Sequence, residues 1–573
     1  MTASSAAACA AWQGKDVIEP TLKSPLRPAP ELKSAKLYTL WIKQRIATVQ
    51  RNHTMAQSNF PWRVWLKPAC VLGLAVAGTG LPAQGTEGKA DGGQSVIDVG
   101  SRKQLFIDDR LVESSRDVSL TMNVPRRDGQ VLIAPDQPWE KGASICVYSS
   151  VMKEGGRVRV WYDLIRPTGP GPYDHTRRVC YAESKDGLHF TKPLLNLNEV
   201  GGSKANNVVL PGVIGGCSVW VDPKAPPEHR YKTQAKVYPT GQFHMHSSPD
   251  GLRWKLFARL NPGPGGWDTQ SIVLWDKRIQ RYVLYTRRWV RRQPRQTSCR
   301  TVRRLESDDL RRWDSQSTVM EADEVDLATH KASSGQPPVD YYGADVFRYA
   351  EADDVYVMLA QAFWHWQESE PRKGSGPSSF DVRLALSRDG KSFRLASRRP
   401  FMGTGPAGRF DSRYVWAMPH PIRMDDELWI YYVGSNCGHD DRLDPAAGGK
   451  HLTGIGRAVL RLDGWVSADA AYTGGELTSR PLTFTGSRLQ LNVDAGAGGV
   501  VRVEIQGRNG KPIEGFAAAD ADGINGNHLR VLASWRGKTD VSTLAGKPIR
   551  LRFVMRDSKL YAFRFLPKDD RDG

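Results

Sequence analysis

The chain has 573 residues, of which 40% are hydrophobic and 25% are charged. This mixture is typical of globular proteins, and the length exceeds that of one ordinary domain. The formal net charge is +19, but residues 1–84 hold ten Lys/Arg against three Asp/Glu, which leaves an excess of 12 for the rest. There the bases are scattered among acids, which argues against a nucleic-acid partner and suits a solvated surface or an acidic polysaccharide.

The N-terminal region reads as a leader. Met55 is a second plausible start, and Arg63 and Lys67 precede the apolar run 69–81, which ends in the cleavage-like sequence "LPAQ". We therefore predict a leader and secretory signal within residues 1–84, with Met55 as the true start, and a secreted or periplasmic protein. The alternative is an uncleaved anchor, but the run is shorter than a bilayer span requires, so we expect no stable membrane insertion after cleavage.

Five cysteines remain after the expected cleavage. Their spacing contains no C-x-x-C pair and no zinc-binding pattern, so we interpret most of them as small buried residues and leave one disulfide open. They are Cys146, Cys180, Cys217, Cys299 and Cys437.

From about residue 100 to 470 the sequence consists of short strand patterns separated by turns, and one turn recurs. It reads "SKDGLHF", "SPDGLRW", "SDDLRRW" and "SRDGKSF", with a weaker copy "RLDGWVS". The Asp is expected to cap the turn, the Gly to allow positive φ, and the aromatic residue to pack back on the sheet. The five markers are Asp186, Asp250, Asp309, Asp389 and Asp463.

The markers are 59 to 80 residues apart, which suits one four-stranded sheet for each repeat. A repeat of this length is typical of a propeller. The fold prediction is therefore all-β: a five-bladed β-propeller over 98–470, followed by a β-sandwich domain over 474–566, where evenly alternating strands begin. The segment 103–113 is expected to close the ring by pairing with the last blade.

Three acids follow an aromatic residue just before a predicted inner strand. They are Glu140 in "PWEKGAS", Asp268 in "GGWDTQS" and Asp411 in "GRFDSRY". Because inner strands line the channel of a propeller, we expect these carboxyl groups to face one pocket. The competing interpretation is that they are turn or cap residues.

Such a set suits glycoside cleavage, which needs one protonated carboxyl group and one ionised carboxylate. Crowding raises the pKa of one carboxyl group and so provides the acid form near neutral pH. We predict Glu140 as the general acid and Asp268 or Asp411 as nucleophile or base, with Trp139 and Trp267 offering flat faces to sugar rings.

Weaker substrate-binding candidates complete the predicted site. Asn206 and Asn207 in "SKANNVVL" fit sugar hydroxyls but also fit a loop, and the fourth blade offers Asp340 and Asp345, of which Asp345 is expected to support the site. The last candidates are Arg413 and His439.

One histidine beside Asp440 and Asp441 is a poor metal signature. We therefore predict no metal in the site and no required cofactor, and leave a structural calcium ion open.

Several phrases resemble secreted bacterial proteins, common in planctomycetes, that are described as glycoside hydrolase family 32/43-like five-bladed propellers. The phrases include "LFIDDRLVE", "PWEKG", "CYAESKDGLHFTKP", "WDTQSIVLWD", "FDSRYVWAMP" and "GKPIRLRFVMRDSKLYAFRF". The resemblance covers residues 98–566 and implies a glycosidase-like scaffold with a C-terminal sandwich that processes polysaccharides. The W-x-N-D-P, R-D-P and E-C motifs of the wider superfamily's fructosidases are absent at the expected places, so their catalytic residues are not carried over.

The functional prediction is a secreted glycoside hydrolase acting on a polysaccharide or oligosaccharide. The alternative is a lectin-like propeller that binds carbohydrate without cleaving it. A six-bladed, sialidase-like enzyme is a third possibility, but it requires a sixth marker and an arginine cluster with a tyrosine.

Overall fold

The computed structural model describes residues 95–168, 175–212, 217–237, 242–260, 269–292, 297–332, 336–352, 354–366, 378–439 and 451–568. All of them belong to one compact unit, residues 91–573. Its regular secondary structure is almost entirely strand, which confirms the predicted all-β class. The predicted leader and signal lie outside the described residues.

Five short strands open the described chain. They are β1 (Ile97–Gly100), β2 (Gln104–Leu105), β3 (Val112–Arg116), β4 (Val118–Met122) and β5 (Arg126–Arg127).

Three four-stranded antiparallel sheets and one nine-stranded sheet follow in chain order. We call the first three sheets I to III, and we call the two antiparallel halves of the last one sheets IV and V; a single parallel pairing, Phe380 with Tyr414, joins these halves. Sheet I contains β6 (Ser144–Glu154), β7 (Arg157–Pro167), β8 (His175–Ser184) and β9 (Val208–Pro211), and sheet II contains β10 (Trp220–Val221), β11 (Tyr231–Val237), β12 (Gln242–Ser248) and β13 (Lys255–Leu260). Sheet III contains β14 (Ile272–Asp276), β15 (Arg281–Arg292), β16 (Thr297–Ser307) and β17 (Asp314–Met320), and the short helix α1 (Glu324–Leu327) follows it. Sheet IV contains β18 (Val339–Arg348), β19 (Tyr356–His365), β20 (Ser378–Ser387) and β21 (Arg394–Leu395). Sheet V contains β22 (Tyr414–Ala417), β23 (Ile422–Met424), β24 (Glu427–Ser435) and β25 (Thr453–Arg461), and β5 pairs with β25.

The five sheets correspond one to one to the five predicted blade segments. Each sheet shares a buried hydrophobic cluster with the next one in sequence, from sheets I and II through to sheets IV and V. A further cluster joins sheet V to sheet I, where Val160 and Tyr162 pack with Trp429 and Tyr431. The sheets therefore follow one another around a closed ring, as expected for a propeller.

The repeated turns have the predicted chemistry. In the first copy, Oδ1 of Asp186 accepts hydrogen bonds from the backbone amides of Leu188 (2.8 Å) and His189 (2.9 Å), and the same pattern recurs at the next three markers. Gly187 has φ +74°, and its carbonyl accepts from Tyr431 Oη of sheet V at 2.7 Å. The prediction that the Asp caps a tight turn is confirmed for these four copies, and the turn also joins neighbouring sheets.

The last eight strands form two packed sheets together with the first four strands of the described chain. Their shared core contains Leu491, Val503, Phe553 and Phe563. The strands are β26 (Val466–Ala470), β27 (Gly475–Ser479), β28 (Leu482–Phe484), β29 (Arg488–Asp494), β30 (Val500–Gly507), β31 (Asn527–Leu532), β32 (Ile549–Arg556) and β33 (Ser558–Leu566).

The prediction that 103–113 closes the ring was wrong. Strand β2 pairs with β33 and β3 pairs with β27, so this segment completes the two C-terminal sheets. The physical reason is Phe106, which is fully buried between the rings of Phe553 (6.1 Å) and Phe563 (5.8 Å). Strand β5 pairs with the last strand of sheet V instead. The strand pairing thus places residues 97–122 with the C-terminal sheets. The predicted propeller, which began at residue 98, had included this segment.

Candidate functional site

The predicted general acid, Glu140, ends a 3-10 helix, Pro138–Glu140, just before sheet I. Its side chain is fully buried. Oε1 accepts a hydrogen bond from Tyr162 Oη at 2.6 Å, and Oε2 accepts from Lys192 Nζ at 2.6 Å and from the Gln137 amide at 3.0 Å. Because protein donors occupy both oxygens, the geometry argues against the predicted acid role and favours a structural ion pair.

Two more predicted residues belong to the same arrangement. Trp139 Nε1 donates to Asn207 Oδ1 at 2.8 Å, and Asn207 Nδ2 donates to Tyr162 Oη at 2.6 Å and to the Tyr181 carbonyl at 2.7 Å. Asn207 is fully buried, so it holds the protein together and does not present its amide to a sugar. We call Trp139, Glu140, Tyr162, Lys192 and Asn207 the Glu140 network.

Asp411, the predicted acid before sheet V, is also buried. Its Oδ2 accepts from Arg127 at 3.1 Å and from Tyr432 Oη at 3.0 Å. Since Arg127 lies in β5, Asp411 fastens the strand that pairs with β25. Trp267 and Asp268 lie outside the described residues, so the meeting of the three predicted acids around one pocket stays a prediction.

The remaining predicted residues divide into buried and exposed groups. Asn206 bonds only within its own loop, to the Asn198 and Ser203 carbonyls and the Val208 amide, which is the loop-forming interpretation.

Asp345 lies in β18, where Oδ2 accepts from the His420 amide at 3.1 Å and burial raises its pKa well above the usual value. Arg413 and His439 are exposed, and His439 Nε2 lies 3.1 Å from Tyr342 Oη. Asp440 and Asp441 lie outside the described residues.

Tyr342 leads to a cluster that the sequence analysis did not single out. Six buried aromatic residues from sheets I, IV and V pack together, and we call them the aromatic cup. They are Tyr148, Tyr342, Phe363, Phe380, Tyr414 and Trp416. Tyr342 lies 5.8 Å from Trp416 and 5.7 Å from Phe380, and Trp416 lies 5.8 Å from Tyr148, measured between ring centroids and edge to face in each case.

Local backbone features create the cup. The register of β6 and β7 shifts between Cys146 and Ser150, so Tyr148 lies in a bulge outside the regular ladder. Gly343 allows sheets III and V to approach β18, because a Cβ there would lie 2.9 Å from Thr269 Oγ1 and 3.5 Å from the Trp416 ring. Neither feature follows from a simple alternating pattern.

One glutamine ties the cup to the ends of four inner strands. Gln270 Nε2 donates to the carbonyls of Ser149 (2.8 Å) and Cys217 (2.9 Å), and its Oε1 accepts from Trp416 Nε1 at 3.2 Å. These residues come from sheets III, I, II and V. With Tyr342 of sheet IV, all five sheets therefore contribute to this place.

Two buried aspartates flank the cup, and the first is Asp163 of β7. It lies across from Cys146 and accepts from Arg177 at 2.9 Å through Oδ2, and the Arg177 guanidinium lies 5.6 Å from the Tyr148 ring. Its Oδ1 has no hydrogen-bond partner among the described residues. Burial raises the pKa of Asp163 to about 6, although Arg177 opposes the shift.

The second is Asp340 of β18. Its Oδ2 accepts from the side chain and the amide of Arg300, at 3.0 and 3.1 Å, and its Oδ1 lies 3.6 Å from His365 Nε2. Burial alone would raise its pKa, but Arg300 and His365 together lower it below the usual value. The Arg300 guanidinium lies 4.8 Å from the Tyr342 ring. The cup is thus flanked by one carboxyl group held towards its acid form and one held ionised.

Within the described residues, no group of three or more His, Cys, Asp or Glu side chains is arranged to hold a metal ion. The five cysteines named above are free thiols. No helix among the described residues is long and apolar enough to cross a bilayer.

Comparison with known sequences gives two partial matches. No family profile matches the chain. Two uncharacterized proteins of Mycobacterium tuberculosis are 26% identical over 145 residues, which are 24% of this chain and 45% of each relative. The match thus spans less than half the length of these curated relatives.

Solved structures that resemble the protein include several carbohydrate-active enzymes. A β-1,2-mannobiose phosphorylase from Listeria innocua has a TM-score of 0.40 and 13% identity, with 60% of this chain and 97% of that chain covered. A glycosyl hydrolase from Bacteroides ovatus has a TM-score of 0.39 and 15% identity, with 61% and 96% covered. Both TM-scores lie below 0.5, and both identities lie below 25%.

Proposed function

We propose that the protein is a carbohydrate-active enzyme, and more specifically a secreted glycoside hydrolase whose site is the aromatic cup. One observation carries the proposal: two buried aspartates with oppositely displaced pKa values, Asp163 and Asp340, flank a set of aromatic rings where all five sheets meet. Paired carboxyl groups with separated pKa values are what acid and base roles require. Aromatic faces suit the C–H faces of sugar rings.

In this proposal Asp163 is the acid. With a pKa of about 6 it keeps a proton through mildly acidic conditions and transfers it to the glycosidic oxygen as the bond to the anomeric carbon breaks. Asp340 remains ionised because of Arg300 and His365. It either attacks the anomeric carbon and forms a covalent glycosyl-enzyme that water then hydrolyses, or it takes a proton from a water molecule whose oxygen bonds to that carbon.

Asp268 keeps its predicted place as a further carboxylate of the site. It precedes Gln270 by two residues in the sequence, and Gln270 ties the cup together. This proximity along the chain supports its candidacy, and Trp267 remains a predicted sugar contact for the same reason. The substrate is proposed to be a polysaccharide or oligosaccharide, and no cofactor is proposed for the hydrolytic step.

The test is release of reducing ends from a panel of xylan, glucomannan, arabinogalactan and polygalacturonate. The wild-type protein should release reducing ends, and Asp163→Asn and Asp340→Asn should each release none. Asp268→Asn tests the third carboxylate. Asp411→Asn is the control, because it changes a buried Asp that is bonded to β5. Binding of a glycan without release by any variant would favour the lectin-like alternative.

A further inference from the structure

Three flat rings lie side by side at the end of β19. Trp364 and Trp366 are 6.3 Å apart with an interplanar angle of 19°. His330, which follows α1, stacks on Trp366 at 4.6 Å and 21° and lies 6.1 Å from Trp364 at 29°. The two tryptophans share one face of the strand because alternate residues point the same way.

Hydrogen bonds hold the rings in place. Trp364 Nε1 donates to Asp381 Oδ2 at 3.0 Å, and Trp366 Nε1 donates to Ser379 Oγ at 3.0 Å. His330 Nε2 lies 2.8 Å from the His365 carbonyl. Because the polar edges are bonded to the protein, the rings are oriented before any ligand arrives, which lowers the entropic cost of binding.

The rings remain accessible and lie next to the cup. Trp366 is 41% exposed although His330 covers part of it. Phe363 of the cup and His365, the neighbour of Asp340, alternate with the tryptophans along β19. The outward-facing rings and the proposed reacting groups therefore lie on the two faces of β19 near the same end of the strand.

We propose that Trp366, with His330 and Trp364, forms a second sugar-binding platform that holds one monosaccharide unit of a glycan extending beyond the cup. This inference rests on the proposed function. The expected occupant is a pyranose ring that presents a C–H face, because flat aromatic rings with bonded polar edges offer an apolar surface of that size. The platform would then favour long glycans over short ones.

The test compares wild type, Trp366→Ala and Trp366→Phe by affinity electrophoresis in gels that contain each of the four polysaccharides named above. Tyr472→Ala is the matched control, since Tyr472 is an exposed aromatic residue (73%) that lies between β26 and β27. Trp366→Ala should bind a retarding polysaccharide roughly two- to twelvefold more weakly, since one aromatic contact is worth about 0.5–1.5 kcal/mol. Trp366→Phe should be intermediate, and Tyr472→Ala should match wild type.

A second measurement separates the platform from the cup. Trp366→Ala should cleave a disaccharide as fast as wild type but show a higher KM for the polysaccharide. Equal retardation of wild type and Trp366→Ala by a polysaccharide that both bind would overturn the platform and leave the proposed function intact. If wild type neither binds nor cleaves any member of the panel, the proposed function fails, and the platform fails with it.

Discussion

The Glu140 network and the aromatic cup both contain a buried carboxyl group, yet their hydrogen bonding differs. Glu140 accepts from Tyr162, Lys192 and a backbone amide, so both of its oxygens are engaged. Asp163 accepts from one arginine through one oxygen, and the other oxygen has no partner within the part of the chain that the structure describes. Burial therefore does not distinguish the two sites, whereas the completeness of hydrogen bonding does. A carboxylate whose oxygens are both hydrogen-bonded stabilises the fold, and one that is incompletely bonded can exchange a proton.

The largest expected effect is a loss of hydrolysis caused by a substitution beside the cup. Asp163→Asn should lower glycan hydrolysis by about 10²- to 10⁴-fold, the usual contribution of a general acid. Glu140→Gln, assayed at a temperature where it is folded, should remain within a few-fold of wild type. Release of reducing ends gives both rates, and the reverse order would return the acid role to Glu140.

The next largest effect is a loss of stability caused by a substitution in the Glu140 network. Glu140→Ala should lower the free energy of unfolding by about 1.5–3 kcal/mol, because it removes the buried one of the two carboxylates that pair with Lys192 and leaves that lysine, only 7% exposed, with Asp136 alone. Asp163→Asn at pH 5 should change it by about 1 kcal/mol or less, since wild-type Asp163 already carries a proton there. Denaturant titration measures both, and equal losses would contradict the distinction.

A pH titration sharpens the comparison. The folded-state pKa of Asp163 is about 6, above its ordinary value of 3.8, so the folded protein keeps a proton that the unfolded chain has released. The resulting stabilisation is complete below about pH 4 and is lost as the pH rises through 6. The stability of wild type relative to Asp163→Asn should therefore fall between pH 4 and 7. A flat difference would show that Asp163 has an ordinary pKa.

The smallest effect concerns the interface of sheets V and I, to which Tyr162 of the Glu140 network contributes. In Gly187→Ala the new Cβ would lie 2.6 Å from Tyr431 Oη, whereas in Gly155→Ala it would meet nothing within 4 Å. Both glycines have positive φ, so the backbone strain is matched. Gly187→Ala should cost about 1–2 kcal/mol more in the free energy of unfolding, since it also disturbs the Tyr431 hydrogen bond. Equal thermal shifts in the two variants would show that the turn does not fasten sheet V to sheet I.

Local patterns in the sequence were sufficient for the strands and the repeated turns. Asp186 and its counterparts cap their turns through amides two and three residues later, a contact made within one short segment. The site was predicted less well than the strands. An acidic residue that precedes a strand shows the same local sequence pattern whether it caps a turn or takes part in a reaction. Asp163 and Arg177 belong to ordinary alternating strands, and no motif marked their position.

By itself, the sequence determined the all-β class, the repeated Asp-capped turns and the alternating strands of the C-terminal region, because alternation and turn chemistry act over a few residues. Only the tertiary structure decided which partner each acid contacts. Phe106 packs into the C-terminal core, which takes β2 away from the ring. Lys192 neutralises Glu140 from 52 residues away, and Arg300 approaches Asp340 from the neighbouring sheet. Such pairings depend on burial and approach in three dimensions, which the order of residues does not display.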